Sequence, residues 1–150
     1  MPPNIQISCP ICWAINRLQY ENIVRKPMCG KCHHILFMGK TIELSSVNAR
    51  HFLSRNDIPL MILFWSVLSN PNTKMVLAFD DCVQSLEPHI RLARINIDSE
   101  KNIAVALGIS VAQTIGIFYR NEELARTDKK MNHDEIVNWA LSMPLEPIKN

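Results

Sequence analysis

The chain has 150 residues, of which 47% are hydrophobic and 20% charged, a balance typical of a globular protein with one core, or one core and a small satellite module. No apolar run approaches the roughly 20 residues of a membrane span, and the N-terminus lacks the layout of a signal peptide. We therefore expect no membrane insertion and a cytoplasmic location, unless a specialised export route exists. The net charge of +2 excludes a strongly basic or acidic protein. The segment up to Ile42 nevertheless contains five basic residues and only one acidic residue, and this uneven distribution indicates two modules.

Four of the five cysteines lie in the first 32 residues, as two Cys-x2-Cys pairs sixteen residues apart: Cys9, Cys12, Cys29 and Cys32. This spacing predicts one structural zinc ion held by four thiolates in an N-terminal zinc ribbon, residues 1–42. Gly30 is expected to supply the positive φ of the second turn. Two disulfides, iron on the same sulfurs, and a redox switch that releases zinc stay open as alternatives. His33 and His34 are expected at the surface, and nucleic-acid binding by the scattered basic residues is disfavoured.

After a linker at residues 39–46, the pattern predicts a second module at residues 45–143 and a flexible tail at residues 144–150. Its elements in chain order are a helix capped by Ser45 or Ser46, the strand "PLMILFW", a helix from Met75 to Leu86, the strand "RLARINID" and a helix closed by Gly108. The strands "TIGIFY" and "ELART" and a helix capped by Asn132 complete it. This order predicts an α/β fold with a mixed sheet and helices on both faces.

The motifs "CPICWAINRL", "CGKCHHILFMGK", "LFW", "RINID", "ALGIS" and "TIGIF" occur in an order that resembles the zinc-ribbon thioredoxins of bacteria, over nearly the whole chain. The resemblance implies a thioredoxin fold behind the ribbon. It also implies that Ser69 and Asn72 stand where this family has its two redox cysteines, with Pro71 retained. Leu63 replaces the family's buried Asp, and Gln113 replaces its cis-proline, so we expect a trans Ala112–Gln113 peptide bond.

Disulfide exchange needs an attacking thiolate and a resolving thiol, so these departures imply a degenerate, redox-inactive member that is not an enzyme. Ser69 is then expected as a helix N-cap, and Cys82, Phe64 and Trp139 as core residues. Thioredoxins grip extended chains beside the active-site loop, which implies a partner-binding groove and an adaptor or subunit role. The groove residues implied are Trp65, Val67, Leu68, Ser69, Asn70, Pro71, Val111, Ala112 and Gln113. A residual protein-disulfide oxidoreductase that uses the ribbon cysteines is the alternative function.

Overall fold

The computed structural model describes residues 4–68 and 73–143 of the chain. Its elements, in chain order, are β1 (Asn4–Ser8), β2 (Ile15–Gln19), a short 3-10 helix (Tyr20–Val24), β3 (Ile42–Leu44), α1 (Ala49–Ser54), β4 (Leu60–Trp65), α2 (Lys74–Asp81), α3 (Val83–Leu86), β5 (Arg91–Asn96), α4 (Lys101–Ala106), β6 (Thr114–Tyr119), β7 (Glu122–Thr127) and α5 (His133–Leu141). None of the helices in these ranges is long and apolar enough to cross a membrane.

The five-stranded sheet has the order β3-β5-β4-β6-β7. β3, β5 and β4 run parallel, whereas β6 and β7 are antiparallel to their neighbours. β4 lies in the centre, and its first five residues are all buried, which explains its continuous apolar sequence. One core cluster brings together α2, α3 and α5 on one face of the sheet, and a second brings together α1 and α4 on the other. The predicted α/β class with a mixed sheet flanked by helices is confirmed.

Several local predictions need correction. The linker expected at residues 39–46 contains β3, an edge strand of the sheet. α1 has Asn48 at its N-cap position, not Ser45 or Ser46. The long helix predicted from Met75 to Leu86 is divided at Cys82 into α2 and α3.

Other local predictions are confirmed. Asn132 caps α5 through a capping box, in which its side chain accepts from the Glu135 N–H and the Glu135 carboxylate accepts from the Asn132 N–H. Gly108 follows α4 with a φ of 69°. Cys82 is fully buried, and burial raises the pKa of its thiol to about 12, as suits a core residue. Phe64 is buried in the core cluster beneath α1 and α4, and Trp139 of α5 packs against the cluster on the other face of the sheet.

The N-terminal ribbon is docked on the sheet domain. Backbone atoms of Gln6 and Asp57 bond across the junction at 2.7 Å, and the Ser8 hydroxyl lies 2.9 Å from the carbonyl oxygens of both His51 and Arg55. Trp13 stacks on His51 with ring centroids 5.5 Å apart. The ribbon therefore has a fixed orientation relative to the sheet.

Candidate functional site

The four ribbon cysteines come together at one point. Their sulfur atoms all lie within 4.8 Å of one another. The Cys9 and Cys32 sulfurs are 3.5 Å apart, and the Cys12 and Cys29 sulfurs are 3.6 Å apart. A tetrahedral ion with metal–sulfur distances of about 2.3 Å would place its ligands about 3.8 Å apart. The cluster thus has the size and the ligand types that a bound metal ion requires, and all four cysteines are free thiols rather than disulfides.

Both cysteine turns have the same backbone geometry. The N–H of Trp13 donates to the carbonyl oxygen of Cys9 at 3.0 Å, and that of His33 donates to the Cys29 carbonyl oxygen at 2.9 Å. Trp13 has a φ of 64° and His33 a φ of 66°, so the left-handed residue follows the second cysteine of each pair. The prediction that Gly30 supplies a positive φ is wrong. His33 and His34 are exposed as expected, although the Nδ1 of His34 lies 3.3 Å from the Cys32 sulfur.

Hydrogen bonds to sulfur favour thiolates in this cluster. The N–H groups of Ile11 and Lys31 lie 3.4 Å from the sulfurs of Cys9 and Cys29, respectively. The Asn16 side chain donates to the Cys29 sulfur at 3.4 Å and accepts from the Gly30 N–H at 2.9 Å. Donation from the Cys32 backbone, with these other donors, lowers the pKa of the Cys29 thiol to about 5.

Ionisation of the Cys32 thiol is opposed by its surroundings. The His34 backbone acts to lower the pKa of the Cys32 thiol, but burial and the neighbouring sulfurs outweigh it and raise that pKa to about 12. A bound cation would replace the protons on the ligands, and its positive charge would compensate the negative charge of the thiolates. The donor set therefore suits a metal ion, which would be held by Cys9, Cys12, Cys29 and Cys32.

The groove residues form a second candidate site, at the end of the sheet where β4 stops. Trp65 closes β4 and is half-buried, while Val67 and Leu68 are 48% and 83% exposed. Val111 is 49% exposed and Ala112 half-buried, in the segment that leads into β6. We call these five residues the rim. Four further residues of the connection between β4 and α2 lie outside the described residues: Ser69, Asn70, Pro71 and Asn72. α2 has Thr73 at its N-cap position.

Asp98 is a site residue that the sequence reasoning missed. Its Oδ1 accepts from the Ser66 hydroxyl at 2.6 Å, and its Oδ2 accepts from the N–H groups of Val67 and Leu68 at 3.1 and 3.3 Å. The Ser66 hydroxyl, followed by these amides, lowers the pKa of the Asp98 carboxyl. One carboxylate thus fixes the first part of the rim. Its only sequence signal is an acidic residue two positions after the end of β5.

Gln113 lies beneath the rim rather than on it. Its side chain is only 5% exposed, so its expected place among surface groove residues is corrected. Its backbone has a φ of 66°, and its N–H donates to the carbonyl oxygen of Phe64 at 2.7 Å. The one cis peptide bond in the described ranges precedes Pro88, so the predicted trans Ala112–Gln113 bond is confirmed.

Comparison with known proteins points to the thioredoxins. The chain is 28% identical to Thioredoxin C-3 of Corynebacterium nephridii over 133 residues, which cover 89% of this chain and 91% of that protein. It is 23% identical to a Rickettsia felis thioredoxin over 56% of this chain and 80% of that protein. A Porphyra purpurea thioredoxin is 24% identical over 55% of this chain and 77% of its own length. No protein-family model matches the chain.

These relatives overturn one expectation. Thioredoxins are oxidoreductases, so the prediction that this chain is not an enzyme is contradicted by the relatives that it matches. That prediction depended on Ser69 and Asn72, and the structure describes neither residue. The fold and the relatives show a similarity to the thioredoxins, and the four clustered cysteines could bind a metal ion.

Proposed function

We propose that this thioredoxin-like protein binds an extended segment of a protein partner on the rim, and so acts as an adaptor or as a subunit of a larger assembly. The observation that carries the proposal is the exposure of three apolar side chains on two loops at one end of the sheet: Val67, Leu68 and Val111. Water contact with these side chains is unfavourable, and a partner that covered them would gain that free energy. A polypeptide-binding groove is also implied by the resemblance to thioredoxins, so the proposal is compatible with the oxidoreductase class of the relatives.

The two loops are held in place, as a binding surface requires. Asp98 bonds to the backbone of Val67 and Leu68, and the Thr114 hydroxyl donates to the Val111 carbonyl oxygen at 2.6 Å. A surface that is ordered before binding loses less conformational entropy when the partner arrives.

Cysteine-free fluorescent peptides provide a direct test, because their binding cannot depend on disulfide exchange. Affinity would be measured by fluorescence anisotropy for the wild type, Leu68→Asp and Val111→Asp. Burial of a Leu or Val side chain is worth roughly 1.5–3 kcal/mol, so each variant should bind ~10-fold or more weakly. Val47→Asp is the matched control, because Val47 is an exposed apolar residue outside the rim. Equal affinity of Leu68→Asp and wild type would contradict the proposal.

We also propose that the metal ion is zinc and that its role is structural. Four thiolates in two tight turns form a closed site, which is the usual form of a structural zinc site and leaves no position for a substrate. Iron held by the same sulfurs is the competing assignment.

Elemental analysis of the purified protein should find one zinc per chain, and no absorption bands of an iron site. Replacement by Co²⁺ should give the visible spectrum of a tetrahedral sulfur site. Cys29→Ser should lose the metal, whereas Cys82→Ala, which removes the cysteine outside the cluster, should keep it. Full zinc content in Cys29→Ser would contradict the assignment of the ligands.

A further inference from the structure

The side-chain amide of Asn16 connects the two cysteine turns. Its nitrogen Nδ2 lies 3.2 Å from the carbonyl oxygen of Ala14, beside the first turn, and 3.4 Å from the sulfur of Cys29, in the second turn. Its oxygen Oδ1 accepts from the N–H of Gly30, also in the second turn, at 2.9 Å. A side-chain amide has two N–H donors and one carbonyl acceptor, so these three contacts use both donors and the acceptor.

The neighbouring groups fix which way this amide faces. A backbone N–H can only donate, so the N–H of Gly30 requires Oδ1 opposite it. The carbonyl oxygen of Ala14 can only accept, so it requires Nδ2. The second N–H of Nδ2 is then left for the sulfur of Cys29. Asn16 is therefore a hydrogen-bond donor to a cysteine of the cluster.

The contact with Ala14 extends to a second cysteine. The same carbonyl oxygen also accepts from the N–H of Cys9 at 2.9 Å. Asn16 is thus connected to Cys9 through one backbone oxygen, and to Cys29 directly. The backbone hydrogen bond inside each turn shapes that turn but does not set the distance between the two turns. An amide that bonds to both turns constrains this distance.

The β1–β2 hairpin does not itself require this amide. The two strands are joined by five residue pairs, in which Asn16 is opposite Ile7, and the backbone supplies the hydrogen bonds of such a ladder. Asparagine is uncommon in strands, and here its side chain is half-buried. The cysteine cluster explains this residue better than the strand does.

We propose that Asn16 is a positioning residue of the metal site, which holds the two cysteine turns at the separation that one ion requires and donates to the sulfur of Cys29. This inference rests on the proposed metal site. Groups that hydrogen-bond to metal ligands orient those ligands, and their loss weakens metal binding although they do not touch the ion. Turns that are held together before the ion arrives also lose less conformational entropy when it binds.

The first test is a titration of the metal-free full chain with Zn²⁺ in competition with a chromophoric chelator. Asn16→Asp keeps the shape of the side chain and an oxygen for the Gly30 N–H, but it replaces both donors and adds a negative charge beside the sulfur. Its zinc affinity should be ~10- to 100-fold lower than that of the wild type. Asn4→Asp is the matched control, because it makes the same change at an exposed asparagine of β1, and it should bind zinc as the wild type does.

The spectrum of the Co²⁺-saturated protein separates a bond to sulfur from a general role in stability. Loss of a donor raises the energy of the sulfur electrons, so the sulfur-to-cobalt charge-transfer band of Asn16→Asp should move to longer wavelength. A residue that only stabilised the ribbon would lower the affinity and leave this band in place at saturation. Asn16→Ala, which removes the amide without adding charge, should show a smaller change in affinity and a band shift in the same direction.

The outcomes distinguish this inference from the metal site on which it rests. If the wild type binds one metal ion and Asn16→Asp binds it with equal affinity, the metal site stands and the inference fails. A charge-transfer band at the wild-type wavelength in both Asn16 variants would also overturn the inference. If the wild type binds neither Zn²⁺ nor Co²⁺, the proposed metal site fails and the inference fails with it.

Discussion

The cysteine cluster and the rim are assembled in opposite ways. Each half of the cluster is a turn of a few residues, and the two turns repeat the same backbone hydrogen bond. The rim instead joins residues more than forty positions apart in the chain, which meet because β4 pairs with β6. A metal site of this kind is encoded by local spacing, whereas the rim is encoded by the topology of the whole sheet.

The ribbon, which carries the cluster, and the sheet, which carries the rim, also differ in what stabilises them. The buried residues of the ribbon cluster are few, and two of them are cysteines; the sheet has a larger apolar cluster on each face. So small a ribbon core cannot offset the conformational entropy of ordering its chain without a further constraint. We therefore expect the ribbon to depend on its metal ion and the sheet to depend on apolar packing.

Arg91 connects the ribbon to the sheet. It is fully buried at the start of β5, and its guanidinium donates to the carbonyl oxygens of Leu36 at 3.1 Å and Ser8 at 3.2 Å. The guanidinium also lies 4.7 Å from the ring centroid of Phe37. Burial lowers the pKa of Arg91 to about 10, so the side chain remains charged at neutral pH.

Metal removal should have the largest effect and should separate the two regions. Structural zinc contributes roughly 10–16 kcal/mol to the folding of isolated zinc-finger peptides, so chelation should unfold the ribbon. Amide hydrogen exchange should show loss of protection at Cys9 and Cys29 and retained protection at Ile62 and Ile117. A ribbon that stays protected after complete metal removal would contradict the metal dependence.

Arg91→Met should have the next largest effect, because it removes the donors to two buried carbonyl oxygens. Each unpaired buried group costs about 1–3 kcal/mol, so the free energy of unfolding should fall by about 2–5 kcal/mol. Urea unfolding measures this loss, and Arg25→Met, at an exposed arginine of the ribbon, is the control. If the two variants are equally stable, Arg91 does not connect the regions energetically.

Asn132→Ala should destabilise the sheet domain without changing either site. Loss of the α5 capping box should cost about 1 kcal/mol of unfolding free energy. Metal content and peptide affinity should stay at wild-type values, which distinguishes general stability from site geometry. A loss of metal in this variant would show that the stability of the ribbon depends on the sheet domain more strongly than we infer.

The smallest effect concerns Asp98 and is confined to the rim. The folded-state pKa of the Asp98 carboxyl is lowered. The carboxylate should therefore hold the backbone of Val67 and Leu68 in place above the ordinary carboxyl pKa, and should release it as the pH falls through the folded-state pKa. The amide resonances of Val67 and Leu68 should follow this titration in NMR spectra. In Asp98→Asn the titration should be absent; its persistence would assign the pH dependence to another group.

The sequence predicted what depends on local pattern. The cysteine spacing identified the cluster, the apolar run identified β4, and Asn132 as an N-cap identified the start of α5. It did not predict β3, a three-residue edge strand that forms only because β5 is beside it. Asp98 and Arg91 were missed for a related reason: their partners lie at least thirty residues away in the chain.

The conclusion drawn from the β4–α2 connection shows another limit. Ser69 and Asn72 led to the expectation of a protein without enzymatic activity, which the thioredoxin relatives contradict. A residue type at one position indicates which reaction that side chain can perform there. It does not decide the class of the whole protein.

An NMR titration of the metal-loaded, isotopically labelled protein with a cysteine-free extended peptide tests the central claim most directly. The account predicts that chemical shift changes concentrate at Val67, Leu68, Val111 and Ala112, and that the ribbon resonances stay in place. Changes concentrated on the ribbon, with the rim unaffected, would contradict it.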